Sequence, residues 1–146
     1  MLKVSTGLRN KMLDTGSFRS VMDLGFLRLY SGTEPTTADA ALGAAVLLVT
    51  ISLNAGGTGL TWEAVAAGGV LAKKSSETWQ GTVGTSGTPT FFRFAAVGDT
   101  GVLSTTESRV QGTVGVLGAE LNLSNPLLTA SSVQTINHFN VALPTL

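Results

Sequence analysis

The one imidazole in the chain is the first candidate for acid–base chemistry. His138 lies in the segment INHFNV, residues 136–141, where strict alternation would place it on the opposite strand face from Phe139 and Val141. Acid–base catalysis at neutral pH usually needs a histidine, or two carboxyl groups whose pKa values are pushed apart. No such partner stands beside His138 in the sequence. We interpret it as a strand histidine that faces solvent or bonds a neighbour.

The other chemically capable residues form no recognisable set. Carboxylates occur singly, at Asp14, Asp23, Glu34, Asp39, Glu63, Glu77, Asp99, Glu107 and Glu120. The chain contains no cysteine, no Asp-x-Asp run and no zinc-type histidine spacing. The glycine-rich stretches 54–59 and 98–101 lack the Lys and Ser/Thr of a phosphate-binding loop and predict hairpin turns. The sequence predicts no metal site, no cofactor and no enzyme. A small hydrolase that uses His138 or a carboxylate is an alternative without a catalytic set to support it.

Composition narrows the classes of partner. The 146 residues include nine Lys and Arg against nine Asp and Glu, and only 12% of the residues are charged. Nucleic-acid binding depends on Lys and Arg that neutralise phosphates, so this balance predicts no nucleic-acid partner. The longest uncharged apolar run, residues 40–51, is shorter than the roughly 20 residues that span a bilayer. We therefore expect a soluble protein that binds no membrane.

Residues 1–25 form a separate N-terminal segment with a helical pattern. Ser5 and Ser17 are predicted N-caps of two short helices. Gly16 is predicted to end the first helix in the left-handed conformation, and Gly25 is placed at the C′ position of the second. Residues 1–30 carry a net charge of +3, so the remainder carries −3. The segment is either an arm that docks on an acidic neighbour or a cap on an open end of the core. As an arm it would contact the partner through Arg9, Phe18, Arg19, Val21 and Met22.

Residues 26–146 have the pattern of a β domain. Residues 26–30 alternate, which predicts a half-buried strand, and residues 46–52 are apolar enough for a strand buried on both faces. Further strands are predicted at residues 60–62, 77–83, 90–96, 109–114, 120–123 and 135–143. Short strands without helices between them favour an antiparallel sheet. We predict an all-β protein, an antiparallel β-sandwich or jelly roll with a short helical N-terminal segment.

The few aromatic residues are candidates for core or contact positions. Phe91, Phe92 and Phe94 flank Arg93 in a strand with two partly apolar faces, so one face is expected in the core and the other under a loop or partner. Tyr30, Trp62 and Trp79 stand among polar residues and are candidate partner contacts, because such side chains are enriched in binding hot spots. Core packing is the alternative for all of them.

Six strings of residues carry a resemblance to a known group of proteins. They are STGLRN at residues 5–10, LYSGTEP at 29–35, GGVLAK at 68–73, ETWQG at 77–81, RVQGTVG at 109–115 and ELNL at 120–123. With them the chain, from residue 5 to 145, resembles small proteins encoded among the virion genes of tailed bacteriophages and prophages. Members of this group are often described only as phage structural proteins.

The resemblance implies a role in a virus particle. The nearest functional class is the capsid decoration or cement proteins, small β-rich subunits that stabilise the assembled shell. The expected partners are the major capsid protein and further copies of the chain, which would form a dimer or trimer. The expected location is the capsid surface of the virion, and the protein would be made in the host cytoplasm. The alternative is a tail, collar or fibre protein for host adsorption, with Tyr30, Trp62 or Trp79 stacking on carbohydrate.

Overall fold

The computed structural model describes residues 1–142 and confirms the predicted all-β class with short N-terminal helices. The elements are β1 (Lys3–Val4), α1 (Thr6–Asp14), α2 (Phe18–Met22), β2 (Phe26–Ser31), β3 (Val46–Leu53), β4 (Val70–Ala72), β5 (Trp79–Thr82), β6 (Phe91–Ala95), β7 (Arg109–Gly115), β8 (Leu121–Asn122), β9 (Val133–Ile136) and β10 (Asn140–Ala142). Among these residues, no helix is both long and apolar enough to cross a membrane.

Eight of the strands form one sheet. Its order is β1-β7-β6-β2-β3-β5-β9, with β8 beside β7, while β4 and β10 form a separate pair. The pairings are antiparallel except that of β7 with β8, which is parallel. This order confirms the antiparallel sheet but does not confirm a jelly roll.

The large sheet curls tightly around its inner face. The rings of Trp79 in β5 and Phe94 in β6 have centroids 5.9 Å apart, although β3 and β2 lie between those strands. Neighbouring strands are about 4.8 Å apart, so a flat sheet would separate the two strands by about 14 Å. The curl therefore brings the two parts of the sheet face to face, as the layers of a sandwich would be.

Aromatic rings fill the space inside the curl. Phe139, between β9 and β10, has its centroid 5.4 to 6.0 Å from the rings of Trp62, Trp79, Phe92 and Phe94. Aromatic pairs at these separations stabilise a core beyond their buried area. Because Phe139 turns inward, the predicted strand 135–143 is interrupted, and it divides into β9 and β10. Residue 143 lies outside the described residues.

The N-terminal helices close one end of this core. The side chains of Ser5 and Ser17 accept the capping bonds from the amides of Leu8 and Ser20, as predicted. Leu8 of α1 and Met22 of α2 are both completely buried and belong to the same core as the sheet. The segment is thus packed on the β domain through both helices, and β1 adds to the sheet beside β7.

Three local predictions are wrong. Neither Gly16 nor Gly25 has a positive φ, and the left-handed residue after α2 is Leu24, with φ 63°. Gly25 is needed for another reason, because a Cβ there would lie 2.5 Å from the Phe94 ring. Leu60 and Trp62 form isolated bridges rather than a strand, and the first two residues of β3, Val46 and Leu47, are exposed although both pair with β2.

The outer face of the sheet carries a row of long polar side chains. Arg28 of β2, Arg93 of β6, Gln111 of β7 and Lys3 of β1 are successive cross-strand partners, and Arg109 lies in the next row. Loops 32–45 and 96–108 cover them. We call these five side chains and the two loops the outer polar layer. The predicted covering of the second face of residues 90–96 is confirmed, since all of β6 is buried.

Candidate functional site

An apolar groove lies between the N-terminal helices and the β4–β10 pair. It has a volume of about 440 Å³. Its lining residues come from α1, α2, the loop 64–69, β4 and β10, and they are Met12, Ser17, Phe18, Arg19, Ala64, Ala66, Gly69, Leu71 and Val141. A concave, mainly apolar surface with a few polar groups is the usual form of a binding site.

Local sequence signals place each wall of the groove. The Ser17 cap starts α2 so that Phe18 and Arg19 stand in its first turn. On the facing wall, Leu71 and Val141 are direct cross-strand partners in the β4–β10 pair. The small residues of loop 64–69 keep the space between the walls open, because they have little side-chain volume.

Phe18 and Arg19 differ in what they contribute to the groove. The Phe18 ring meets Trp62 edge to face, with centroids 5.3 Å apart, so one side of the ring is anchored in the core. Arg19 Nη1 donates to the carbonyl oxygen of Ala64 at 2.8 Å. No carboxylate of residues 1–142 lies within 4.0 Å of the Arg19 guanidinium. The groove thus presents apolar surface beside a positive charge.

The remaining predicted contact residues lie elsewhere. Arg9 is exposed on α1 and donates to Thr6 Oγ1 at 3.0 Å. Val21 is half-buried against the core and does not line the groove. Met22 is completely buried, so its prediction as a partner contact is wrong. The amphipathic stripe of α2 faces inward because the core, rather than a partner, covers it.

The predicted aromatic contacts are also wrong. Tyr30, Trp62 and Trp79 expose 4%, 3% and 0% of their surface. Trp79 donates from Nε1 to Glu77 Oε2 at 3.0 Å, and Tyr30 stacks on Phe91 with centroids 5.1 Å apart. Their polar sequence neighbours lie on the opposite strand face or in turns. None of the three rings is available to stack on a carbohydrate.

Two acids that are separate in sequence meet in the outer polar layer. Arg109 donates from Nε to Asp99 at 2.6 Å and from Nη2 to Glu107. Burial raises the pKa of Asp99, whereas a hydrogen bond from Asp99 lowers the pKa of Glu107 to about 2. Divergent pKa values also occur in acid–base pairs. Here Arg109 binds both groups and Asp99 is almost fully buried, which is the geometry of a structural ion-pair network.

Sequence reasoning missed both this acid pair and half of the groove. Asp99 and Glu107 are eight positions apart on a loop whose path the local pattern does not fix. The uncharged stretch 64–72 was the one available signal for the far wall of the groove. His138 is exposed between β9 and β10 and is not in a strand. Within residues 1–142, no three His, Asp or Glu side chains come together as metal ligands.

Comparison with known proteins adds no relative. No protein-family model, no curated protein and no solved structure matches the chain. The fold and the site define an antiparallel all-β protein with short N-terminal helices packed on its core and an apolar groove beside them.

Proposed function

We propose that this protein is a structural component of a tailed-bacteriophage virion, and specifically a capsid decoration protein. It binds the outer surface of the major capsid protein shell and stabilises the shell, acting as a homo-oligomer, a dimer or trimer. Its resemblance to phage virion proteins supports this function. The observation that carries the proposal is the apolar groove of about 440 Å³ beside Arg19, on the most basic part of the chain.

The groove supports recognition of an apolar segment with an adjacent acid. Met12, Phe18, Leu71 and Val141 offer an apolar surface that a partner side chain can bury, and burial of apolar area is the main favourable term in association. Arg19 at the rim of the groove favours a partner with a carboxylate nearby. Such charge complementarity affects the orientation and choice of the partner more than the affinity. Arg9 is a second exposed arginine of the same N-terminal segment.

The direct test is binding to expanded shells of the major capsid protein. Deletion of residues 1–24 would be uninformative, because it removes Leu8 and Met22 from the core. Ala66→Glu instead places a bulky acid in the groove at an exposed position. Ala130→Glu is the matched control, an exposed alanine on the chain outside the groove lining.

We expect Ala66→Glu to weaken shell binding by roughly tenfold or more, as loss of an interface hot spot does. Ala130→Glu should bind like the unmodified protein. Equal binding of all three would contradict the assignment of the groove. The copy number in purified particles tests the location separately: a number close to that of the major capsid subunit supports decoration, and a small fraction of it supports the tail, collar or fibre.

A further inference from the structure

The curl of the sheet leaves β8 and β9 on either side of a second cleft. The cleft has a volume of about 180 Å³, and its walls are residues 121–124, in and after β8, and residues 134–138, in and after β9. Among the described strands, β8 pairs with β7 alone and β9 pairs with β5 alone. Each of the two strands therefore has one edge without a strand partner, and both strands border the same space.

The backbone of β9 has hydrogen-bonding groups that point away from the sheet. In an antiparallel pair, residues that bond across the pair alternate with residues whose N–H and C=O groups point the other way. The Val83 amide donates to the Ser132 carbonyl at 2.9 Å, which directs the even-numbered residues of β9 toward β5. The N–H and C=O groups of Val133 and Thr135 consequently face the free edge.

Two contacts agree with this orientation of β9. The Asn54 amide donates to the Thr78 carbonyl at 2.9 Å, so β5 turns its even-numbered residues to β3 and its odd-numbered residues to β9. The carbonyl of Thr135 accepts a bond from Nε2 of the Gln134 side chain at 2.9 Å. At this carbonyl a side chain thus takes the place that a neighbouring strand would fill.

β8 presents a further donor and acceptor at the cleft. The Leu123 amide donates to the Gly115 carbonyl at 2.8 Å, so Leu121 and Leu123 direct their backbone groups to β7. Successive residues of a strand point their backbone groups to opposite sides. Asn122 therefore directs its N–H and C=O groups away from β7, to the free edge of β8.

The cleft lacks the features that usually protect a sheet edge. Natural edge strands are blocked by lysine, by other charged side chains or by proline. Strand β1, at the opposite end of the strand order, contains Lys3, whereas β9 has the sequence VQTI. None of the described lining residues of the cleft is Asp, Glu, Lys, Arg or Pro, and His138 is the one titratable side chain among them. The cleft therefore favours an uncharged partner.

The position of β8 determines the form of that partner. The free edges offer backbone donors and acceptors at the spacing of a strand, which an extended polypeptide matches along its own backbone. The edge of another folded sheet would bring its neighbouring strands with it, and β8 stands where those strands would have to lie. A single extended segment needs no such space.

We propose that the cleft between β8 and β9 binds one extended, uncharged peptide segment of a partner protein. The segment adds a strand to the sheet through the backbone groups of Val133, Thr135 and Asn122. It runs antiparallel to β9 and therefore parallel to β8, because the order of pairings makes those two strands opposite in direction. The cleft shares no described lining residue with the apolar groove, so this inference does not rest on the proposed function.

Amide hydrogen exchange of the full chain, followed residue by residue, tests whether the edges are free. The amides of Val133, Thr135 and Asn122 should exchange almost as fast as in an unstructured peptide, whereas the Gln134 amide should be protected by β5. Protection of the first three amides in the chain alone would show that the edges are already occupied, by each other or by a second copy. That result would overturn the proposal.

Peptide selection tests binding at the cleft. A displayed library of random decapeptides is selected on the full chain, and the selected peptides are synthesised and measured by calorimetry. They should carry an uncharged central stretch and should slow exchange of the Val133 and Thr135 amides. A selection without binders, or binders that leave these amides unprotected, would overturn the proposal. Binders that lose affinity only in Ala66→Glu would lie in the groove, which would refute the cleft and leave the proposed function intact.

A proline variant connects peptide binding to the edge of β9. Thr135→Pro removes an outward N–H group, a change that edge strands tolerate, and should weaken binding by roughly tenfold or more. Thr135→Val is the matched control, because it keeps the amide and should bind like the unmodified chain. If Thr135→Pro does not fold, Val133→Pro and Val133→Thr replace the two variants. Equal peptide affinity of a folded proline variant and its control would overturn the proposal.

Discussion

The two halves of the outer face of the sheet differ in whether they carry charged side chains and in whether loops cover them. Strands β1, β7, β6 and β2 carry Lys3, Arg109, Gln111, Arg93 and Arg28, and two loops cover them. Strands β3, β5 and β9 contain no charged residue at all, and their outer side chains are mostly hydroxyls and amides such as Ser52, Gln80 and Thr135. On this face, charged side chains therefore occur in the half of the sheet that loops 32–45 and 96–108 cover.

The difference follows from the cost of desolvation. A buried guanidinium needs acceptors, and the carbonyls of Ala38, Ala40 and Val102 in the two loops supply them, while the Pro35 carbonyl accepts from Gln111. The loops in turn depend on those arginines and on Gln111 for their position. The other half has no charge to neutralise, because Gln80 and Thr135 keep access to water and the buried Ser52 accepts a bond from the amide of Gly57. Its stability comes from the apolar inner face.

The largest expected effect is the loss of Arg109. Arg109→Met should destabilise the protein by about 3–5 kcal/mol, because it removes the closer counter-ion of the buried Asp99 and leaves only Arg28, at 3.5 Å. Urea unfolding at neutral pH measures the change. Arg9→Met, at an exposed arginine, should stay within about 0.5 kcal/mol. A loss below about 1 kcal/mol in Arg109→Met would mean that the covered half does not depend on its ion pairs.

Acidification should lower the stability of the loop-covered half of the sheet, because it protonates Glu107. Its folded-state pKa is lowered to about 2, first by the hydrogen bond from Asp99. A group with a lowered pKa stabilises the fold above its ordinary value of 4.5 and loses that contribution as the pH falls toward about 2. Glu107→Gln removes the charge. The stability gap between the native protein and Glu107→Gln should therefore shrink between pH 4.5 and 2, and a constant gap would contradict the assignment.

A smaller effect is expected on the inner side of the uncovered half. Ile136 of β9 is 2% exposed, and Ile136→Val removes one methylene group from the core. The expected loss is about 0.5–1.5 kcal/mol in urea unfolding. Val133→Ala, at an exposed position of the same strand, is the control. Equal losses for the two variants would show that β9 is not held by its inner face.

The smallest effect should come from adding a charge to the uncovered face. Thr135 is exposed, so Thr135→Lys leaves the new ammonium group in water. The free energy of unfolding should change by no more than about 0.5 kcal/mol. A loss of several kcal/mol would mean that another surface covers this face in solution, and the oligomeric state of the variant would then distinguish that cause.

Local patterns predicted the elements that depend on neighbouring residues. Ser5 and Ser17 cap helices because a serine side chain reaches the amide three residues later. The alternation of residues 26–30 and the apolar faces of residues 90–96 placed β2 and β6, since side chains alternate between the faces of any strand. The all-β class followed from these short-range signals.

The tertiary structure determined which residues that are distant in sequence come into contact. Ser5 also accepts a bond from the amide of Arg109, 104 positions away, which no local rule predicts. The curl of the sheet buried Trp62 and Trp79, and the path of loop 96–108 brought Asp99 and Glu107 to Arg109. Sequence alone determined the two helices and the longer strands, because their causes are local. The short strands β1 and β4, burial, ion pairing and the groove depend on how distant strands and loops come together.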